Sequence, residues 1–323
     1  MFERITKQRE FMIFVVVVGV FVSMSFASPY FLNSGNLLAV LLGLSLEAIV
    51  AVGMVNLMVS GGFDMSVGSV IAFVGSSLAM FLKMGLPVPL AVLLGLSFGG
   101  LIGLFNGCVV AKVGINPFIT TLSSLSLFRG LTLIITKGQN IAGLGDNFKL
   151  IGQAKFLDVQ MPIWYALILV VVGDILLRKS RFFRQSYYIG GNEHAARLSG
   201  INVDRLKILN YVITGVLAAA AGIVMTSRLG AASVTAGTGM ELRVITAVII
   251  GGASLQGGEG TVLGAFLGTF LMALITNALT LLGVDVYWQT FVIGATLLTA
   301  VLIDRLGKLR DEGKLPFFRK QAN

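Results

Sequence analysis

Charged side chains are scarce in this sequence of 323 residues. Asp, Glu, Lys and Arg together make up 12% of the chain, and hydrophobic residues make up 56%. A soluble domain carries roughly 25% charged residues, so this composition excludes a water-soluble globular protein. Several apolar runs approach the ~20 residues that a helix needs to cross a bilayer. The sequence therefore predicts an all-α, polytopic membrane protein.

Cysteine and histidine are each present once, as Cys108 and His194. One cysteine excludes a disulfide within the chain, and one histidine excludes a histidine-rich metal site or a histidine relay. The sequence contains no G-x-x-x-x-G-K-[ST] phosphate loop and no H-E-x-x-H motif. It also has no carboxylate pair placed for hydrolysis. We therefore expect no catalytic residue, no metal and no cofactor bound by this chain, so that any pumping is powered by another protein.

The apolar runs predict about ten transmembrane helices in a single domain, residues 1–323. We place them at roughly 11–27, 37–60, 66–82, 88–111, 117–136, 162–177, 207–227, 240–252, 261–282 and 287–304. The first run has basic residues before it and ends in Ser25-Phe26-Ala27, a possible cleavage site, so it also suits a signal peptide. We interpret it as a retained helix because the run is long and the topology needs it. The 240–252 segment is too short to cross alone and predicts a re-entrant or broken helix.

Basic residues are distributed unevenly between the two sides of this arrangement. Seventeen lysines and arginines fall in the termini and loops of one side, and five fall on the other. Cytoplasmic loops carry the excess of Lys and Arg, so both termini and the 178–206 loop are predicted to be cytoplasmic. The net charge of +9 thus follows from topology and does not indicate nucleic-acid binding. The localisation that fits is a plasma membrane, with membrane lipid as a partner.

The stretch 187–203 is the long polar passage of an otherwise apolar chain. Asn192 can cap a short helix, Glu193 and Arg197 form an i,i+4 pair that suits the helix dipole, and Gly200 suits a left-handed C-terminal cap. A helix of about two turns is not stable alone, so it must dock. The residues alone leave open whether it docks on this protein or on another. Its small apolar surface consists of Ala195, Ala196, Leu198 and Ile201.

Two ionisable residues, Glu47 and Arg129, fall near the middle of predicted spans. An ionisable residue inside a membrane is a functional hypothesis by default. Because two isolated charges do not make a proton relay, the favoured interpretation is a buried Glu47–Arg129 pair that fixes the register of two helices. Asp174 lies near Arg178 at a predicted inner helix end, where a solvated ion pair is expected.

Two polar segments, at residues 60–68 and 116–126, are candidates for a translocation pathway. In Ser60-Gly61-Gly62-Phe63-Asp64-Met65-Ser66, the glycines break a helix and Asp64 or Ser66 can cap the next one. Asn116 caps a helix that begins with a proline and carries a stripe of hydroxyl residues including Thr120. Either segment can line a watery conduit for a polyol, or can form a plain turn and back-bonded hydroxyls. The 61–68 pattern has a faint echo at 251–258, which hints at duplicated halves.

Taken together, these motifs resemble the membrane permease subunits of ATP-binding-cassette importers for ribose, xylose, autoinducer and related sugars. The resemblance covers about 33–304. It rests on G-G-F-D-M-S-V-G-S at 61–69, I-N-P-F-I-T-T-L at 115–122, I-G-G-N-E-H-A-A-R-L-S-G-I at 189–201, T-A-G-T-G-M-E-L at 235–242 and G-G-A-S-L-Q-G-G at 251–258.

The resemblance implies a type II-like importer permease that works with two ATPase subunits, an extracytoplasmic substrate-binding protein and a second permease copy or paralogue. It implies that ATP and Mg are used by the ATPase, and that the 190–201 loop is the segment that the ATPase receives. The coupling residues would be Gly190, Gly191, Asn192, Glu193, Ala195, Ala196, Arg197, Ser199 and Gly200. The pathway residues would be Asp64, Ser66, Asn116, Thr120 and Glu241.

Two residues depart from the ribose-type pattern. Met240 and Arg243 stand where that pattern has a tyrosine and an aspartate, which reverses a charge beside Glu241 and leaves the sugar unidentified. Relatives in the family carry xylose, rhamnose, galactose or autoinducer sugars, and a more distant branch carries branched-chain amino acids. One alternative is a related importer for another small polar solute. A secondary transporter is disfavoured because the sequence has no intramembrane relay, and a membrane-embedded enzyme is disfavoured because it has no catalytic groups.

Overall fold

The computed structural model describes the backbone of residues 2–311 and the side chains of residues 9–285 and 287–306. The helices are α1 (Phe2–Ala27), α2 (Ser34–Val59), α3 (Val67–Lys83), α4 (Val88–Cys108), α5 (Pro117–Thr136), α6 (Asp146–Gln153), α7 (Met161–Lys179), α8 (Gln185–Gly191), α9 (Glu193–Leu198), α10 (Val203–Leu229), α11 (Met240–Ile250), α12 (Val262–Leu281) and α13 (Val286–Asp311). A π-helical turn, Val109–Val113, extends α4. Basic residues beyond 311 that support the predicted orientation, such as Lys314, lie outside the described residues.

Ten helices of the described chain coincide with the ten predicted spans. Eight of them are long and apolar enough to cross a membrane by themselves, and α3 is a shorter apolar helix of 17 residues. The tenth, α11, has 11 residues and rises only about 16 Å at 1.5 Å per residue. The predicted short segment at 240–252 is therefore a half-length helix, and the all-helical fold expected from the sequence is confirmed.

The centre of the bundle is α10, which packs against α4, α2 and α3. The contact with α4 is close because glycines of α4 face backbone of α10. A Cβ at Gly103 would collide with the carbonyl oxygen of Tyr211, and one at Gly99 would collide with that of Gly215. Small residues let helices approach closely in lipid, where apolar burial gives little driving force. The glycines of α4 thus form a packing surface for α10.

The first helix packs on the bundle through its outer half. Val17 and Met24 of α1 are buried in a cluster with Leu271 and Leu274 of α12. These contacts join the outer half of α1 to α12.

On the side that the charges predict to be extracytoplasmic, the loops form small elements that the sequence did not predict. Short antiparallel pairs join β1 (Ile141–Ala142) to β4 (Ala231–Ala232) and β2 (Lys155–Phe156) to β3 (Val159–Gln160). Helix α6 buries Phe148 completely and is held to α10 by Ser227, which donates to the Phe148 carbonyl at 2.6 Å and accepts from Gly152 N at 2.8 Å. These contacts fix the outer end of α10.

On the opposite side, α8 and α9 lie between α7 and α10 in the chain. Two non-helical segments meet them there: residues 60–66, here named the first break, and residues 251–261, named the second break. At the end of α7, Arg178 lies 2.8 Å from Asp174 of the same helix and 2.5 Å from Glu10 of α1. Glu10 also accepts from the hydroxyl of Thr261, the N-cap of α12, at 2.5 Å. The predicted Asp174–Arg178 pair is confirmed.

Candidate functional site

The predicted capped helix is two short helices, α8 and α9, which together with the turn after them we name the knob (residues 185–202). Asn192 separates the helices in an extended conformation, and its side-chain oxygen accepts from Ala195 N at 2.9 Å. Gly200 has φ +82°, the left-handed conformation that a helix-ending glycine adopts readily. Both predicted caps are present. Asn192 begins α9 directly after α8 ends, and Gly200 lies in the turn that follows α9.

Charge contacts tie α9 to the first turn of α10. Glu193 accepts from Lys207 at 2.5 Å and from Arg197 at 3.0 Å, and Arg197 also reaches Asp204 at 2.5 Å. Partial burial would raise the pKa of Glu193, but hydrogen bonds and positive charge from Lys207 and Arg197 outweigh it, so this pKa lies below its ordinary value. Glu193 is therefore an anion at neutral pH, at the centre of the knob.

The apolar residues of the knob divide between two faces. Ala196 is buried in a cluster with Ile189, Val203 and Leu206, and Ile201 packs against that cluster. Leu198 is 77% exposed, and Ala195 is exposed as well. The small apolar surface expected from the sequence is thus half used internally, and the remainder faces outward.

Buried amides anchor the knob to the bundle. Asn56 of α2 donates to Asn210 of α10 at 2.8 Å, and Asn210 donates to Ser186 of α8 at 3.2 Å. Tyr187 donates to the Gly260 carbonyl at 2.7 Å, and burial raises the pKa of Tyr187 to about 12. Sequence reasoning missed Asn56 and Asn210, although an amide inside an apolar span is a signal for an interhelical hydrogen bond.

Gly190 of the knob lies against both breaks. A Cβ at this position would collide with the carbonyl oxygen of Val59, where α2 ends, and with the backbone of Gly257 and Gly258 in the second break. Gly258 N also donates to the Val59 carbonyl at 2.9 Å. At this point the knob contacts both the end of α2 and the second break. Any residue larger than glycine at position 190 would displace the surrounding backbone.

The first break is fixed by a buried polar cluster around Asp64, which is 1% exposed. Asp64 Oδ1 accepts from Ser66 N at 2.7 Å and from Ser66 Oγ at 2.6 Å. Asn106 of α4 donates to Ser66 Oγ at 3.1 Å, and Ser124 of α5 donates to Asn106 Oδ1 at 2.5 Å. The cluster joins α3, α4 and α5 at one point, so the two pathway candidates Asp64 and Ser66 lie inside the protein.

The remaining candidates on α5 lie near that cluster. Asn116 is exposed and caps α5 by accepting from Phe118 N at 2.8 Å. Thr120 is buried one turn before Ser124, and its hydroxyl makes no hydrogen bond with the residues that the structure describes. Thr121 and Thr132 donate to carbonyls of their own helix. Such bonds are the structural alternative to a role in the pathway.

Arg129 and Glu47 do not pair with each other, which corrects the pairing expected from the sequence. Arg129 donates to the carbonyls of Val234 and Ala236 at 2.7 and 3.0 Å. Glu47 instead pairs with Arg243 of α11, with 2.7 Å between Oε1 and Nε. Linear spacing could not identify Arg243 as the partner because α11 begins inside the bundle.

The segment 233–239 before α11 is non-helical and lies within the bundle. Glu241, at the start of α11, lies beside Gly68 of α3, where a Cβ would collide with its carboxylate. Arg129 also donates to the Gly68 carbonyl at 3.3 Å. Thr235 and Thr238 of the segment are exposed. Irregular backbone at membrane depth is tolerated where it is buried in protein or lines a watery cavity, so this segment can face a pathway.

Comparison with known proteins places this sequence in a family. Residues 36–301 match the sequence model of a family described as the permease component of the branched-chain amino acid transport system. The chain is 40% identical to the ribose import permease protein RbsC of Bacillus subtilis, covering 91% of this chain and 90% of that protein. It is 34% identical to the D-allose transport system permease protein AlsC of Escherichia coli, over 93% and 92%.

A third relative is the L-arabinose transport system permease protein AraH of Escherichia coli, which is 37% identical over 90% of this chain and 89% of its own length. No solved structure matches the chain. These relatives are transport components and not enzymes, and they match nearly the whole length of the chain. The chain therefore belongs to the family of multi-pass permease components of ATP-binding-cassette importers.

Proposed function

We propose that this chain is the translocation subunit of an ATP-driven importer for a monosaccharide in the bacterial plasma membrane. One observation carries the proposal: the knob contacts both breaks of the bundle through Gly190. A force applied to the knob therefore reaches α2, α3, α11 and α12 together. The relatives named for ribose, D-allose and L-arabinose support a sugar as the solute.

The outward face of the knob is the proposed docking surface for a separate ATPase. It offers the exposed Leu198, Ala195 and Ser199 beside the paired charges of Glu193 and Arg197. An apolar centre surrounded by charge is the usual composition of a specific protein interface. The ATPase uses ATP and Mg, and this chain binds no cofactor.

Two further partners complete the proposed assembly. A substrate-binding protein delivers the solute to the outer face, and a second permease copy or paralogue completes the pathway. The binding protein supplies selectivity, so the permease need not hold its solute tightly. A solute that is only weakly held is consistent with transport, because tight binding would slow its release.

In the proposed cycle, closure of the ATPases displaces the knob. The displacement moves the two breaks relative to α10, which remains clamped to α4 by its glycine contacts. The pathway candidates Asp64, Ser66 and Thr120 then change from a closed interior cluster to a solvated surface, with Asn116 at the inner end and Glu241 near mid-depth. Such switching requires a two-state element with discrete packings.

The test uses Glu193→Arg in the complete importer reconstituted in proteoliposomes. The substitution places a third positive charge beside Lys207 and Arg197, so we expect α9 to detach from α10 and sugar uptake to fall at least tenfold. The permease should remain folded, with an unchanged melting temperature within a few degrees. His194→Ala, an exposed neighbour on the same helix, is the matched control and should transport normally.

Normal uptake by Glu193→Arg, with the ATPase still bound, would refute the coupling role of the knob. Uptake of a sugar driven by an ion gradient without any ATPase would instead establish a secondary transporter. Uptake of another small polar solute, with no uptake of ribose, D-allose or L-arabinose, would keep the ATP-driven mechanism and change the solute class.

A further inference from the structure

A crevice of about 330 Å³, lined by both apolar and polar residues, lies between α2, α11, α12 and α13. It is separate from the buried Asp64 cluster, which joins α3, α4 and α5. The crevice contains the intramembrane ion pair that the sequence did not predict. Its polar residues are Glu47, Arg243, Thr276, Asn277, Thr280 and Gln289.

Helix geometry places this crevice in the outer half of the membrane. Asn277 and Thr280 lie in the last turns of α12, and Gln289 lies in the first turn of α13, where both helices reach the outer side. Glu47 lies 13 residues beyond Ser34, the outer end of α2, which is about 20 Å along the helix. The crevice therefore runs from the outer side to about the middle of the bilayer and ends at the ion pair.

The ion pair forms the inner end of the crevice and is only partly sealed by protein. The side chain of Glu47 is 13% exposed and that of Arg243 is 25% exposed. A charged side chain is costly at the bilayer centre when it faces lipid. Polar neighbours on the same crevice, including the Asn277–Asn36 amide pair at 2.7 Å, would also be costly against hydrocarbon. A crevice filled by water or by a polar solute removes these costs.

The lining suits a neutral, polyhydroxylated ligand. A carboxylate accepts hydrogen bonds, a guanidinium donates them, and amides and hydroxyls do both. The bond between Glu47 and Arg243 engages one oxygen and one nitrogen, and each group has further capacity. The opposite charges cancel, so the crevice selects for no net charge on the ligand. Its volume lies at the lower end of the range of small-molecule pockets, about 300–1,000 Å³.

We propose that this crevice is a weak, outward-opening solute site in each permease chain, and that Glu47 and Arg243 add to the selectivity that the binding protein supplies. The class of ligand rests on the proposed sugar import, whereas the hydration of the crevice does not. Half-helix α11 carries Arg243 and enters the second break, which links the site to the knob.

Hydration is tested by cysteine labelling in a Cys108→Ser background that still supports uptake. Thr276→Cys lies inside the crevice, and Leu298→Cys, in the middle of α13 and 62% exposed, is the matched control that faces lipid. A membrane-impermeant maleimide is added from the outer side of whole cells. We expect Thr276→Cys to react at least tenfold faster than Leu298→Cys. Equal, slow reaction of both would show that lipid fills the crevice and would overturn the proposal.

Ligand binding is tested by protection of Thr276→Cys in the complete importer, with ribose, D-allose and L-arabinose as probes. The transported sugar should slow labelling at least threefold, and leucine should not. Uptake of one of these sugars without any protection would overturn the site and leave the proposed function intact. Absence of uptake of all three would count against the proposed function, and the labelling rates would still decide whether the crevice is hydrated.

The role of the ion pair in specificity is tested by the double variant Glu47→Arg with Arg243→Glu, which can keep the pair while reversing its order. We expect retained folding and assembly, with a change of at least fivefold in the ratio of uptake rates between two sugars. Unchanged preference and unchanged protection in this variant would show that the pair only joins α2 to α11, and would overturn its role in specificity.

Discussion

The two breaks occupy similar places in the chain, but they are stabilised differently. In the first break, Asp64 holds Ser66, and Asn106 and Ser124 complete a buried cluster. In the second break, four glycines at 252, 257, 258 and 260 have positive φ. Its charged residue, Glu259, pairs with Arg9 at the rim, where the two side chains are 38% and 41% exposed.

This difference indicates which of the two breaks rearranges more easily. A buried, satisfied polar cluster resists rearrangement because any opening leaves unpaired donors and acceptors. A glycine-rich turn with a solvated ion pair can change its dihedral angles at lower cost. Since Gly190 touches both, we expect knob displacement to move the second break first, carrying α11 and Arg243 with it.

The largest effect is expected from Gly190→Ala. Its Cβ would collide with the Val59 carbonyl and with Gly258 N, so the knob must shift away from both breaks. Forcing one methyl group into a filled site costs roughly 1–3 kcal/mol, and we expect uptake to fall more than tenfold. Thermal unfolding of the purified permease and sugar uptake by the complete importer measure the two effects.

Gly191→Ala is the matched control for that substitution. No atom lies within 4 Å of a Cβ built at Gly191, so its stability and uptake should remain close to those of the unsubstituted protein. If the two adjacent alanine variants behaved alike, the shared contact at Gly190 would not transmit force.

A smaller but clear loss is expected from Asp64→Ala in the first break. The substitution leaves the N–H and O–H of Ser66 without their acceptor inside the protein, and an unsatisfied buried group costs about 1–3 kcal/mol. Asp64→Asn retains a side-chain oxygen that can accept from Ser66 and should lose less. Melting temperatures of the two variants, measured in the same detergent, should rank alanine below asparagine; the reverse order would contradict a role for Oδ1 as the acceptor.

The sequence predicted the features of this site that depend on local chemistry. Asn192 and Gly200 cap the knob as expected because capping requires only neighbouring residues. The ten apolar segments followed from their length and composition. The half-length α11 was foreseen from its 13-residue apolar stretch, which is too short to span a bilayer.

The pairing of side chains across the bundle could not be predicted from the sequence. Glu47 was expected to meet Arg129 because both lie near the middle of predicted spans, yet its partner Arg243 belongs to a helix that starts inside the bundle. The depth of that start depends on the path of residues 233–239, which Arg129 holds through their carbonyls. Every residue has a backbone carbonyl, so the sequence gives no signal that identifies the carbonyls to which Arg129 donates.

A modest effect is expected from Arg9→Gln at the rim of the second break. Arg9 lies 2.6 Å from Glu259, and a solvated ion pair contributes about 0–1 kcal/mol. We therefore expect the melting temperature to change little, whereas the uptake rate should change by about twofold because the second break is released. Salt should reduce the difference from the unsubstituted protein. A destabilisation as large as that of Asp64→Ala would mean that the two breaks are equally rigid.

The smallest effect is expected from pH, through Glu193. Its pKa is lowered in the folded protein, so the stability that its charge contributes is fully present above the unfolded-state pKa and is lost as pH falls through the folded value. The contribution should therefore be constant from pH 6 to pH 8 and decline only in the acidic range below the ordinary pKa of a glutamate, about 4.3. The measurement is the difference in melting temperature between Glu193→Gln and the unsubstituted protein at each pH. If this melting-temperature difference varied between pH 6 and pH 8, Glu193 would not be fully ionised at neutral pH. The mobility of the two breaks would then have to be compared at one fixed pH.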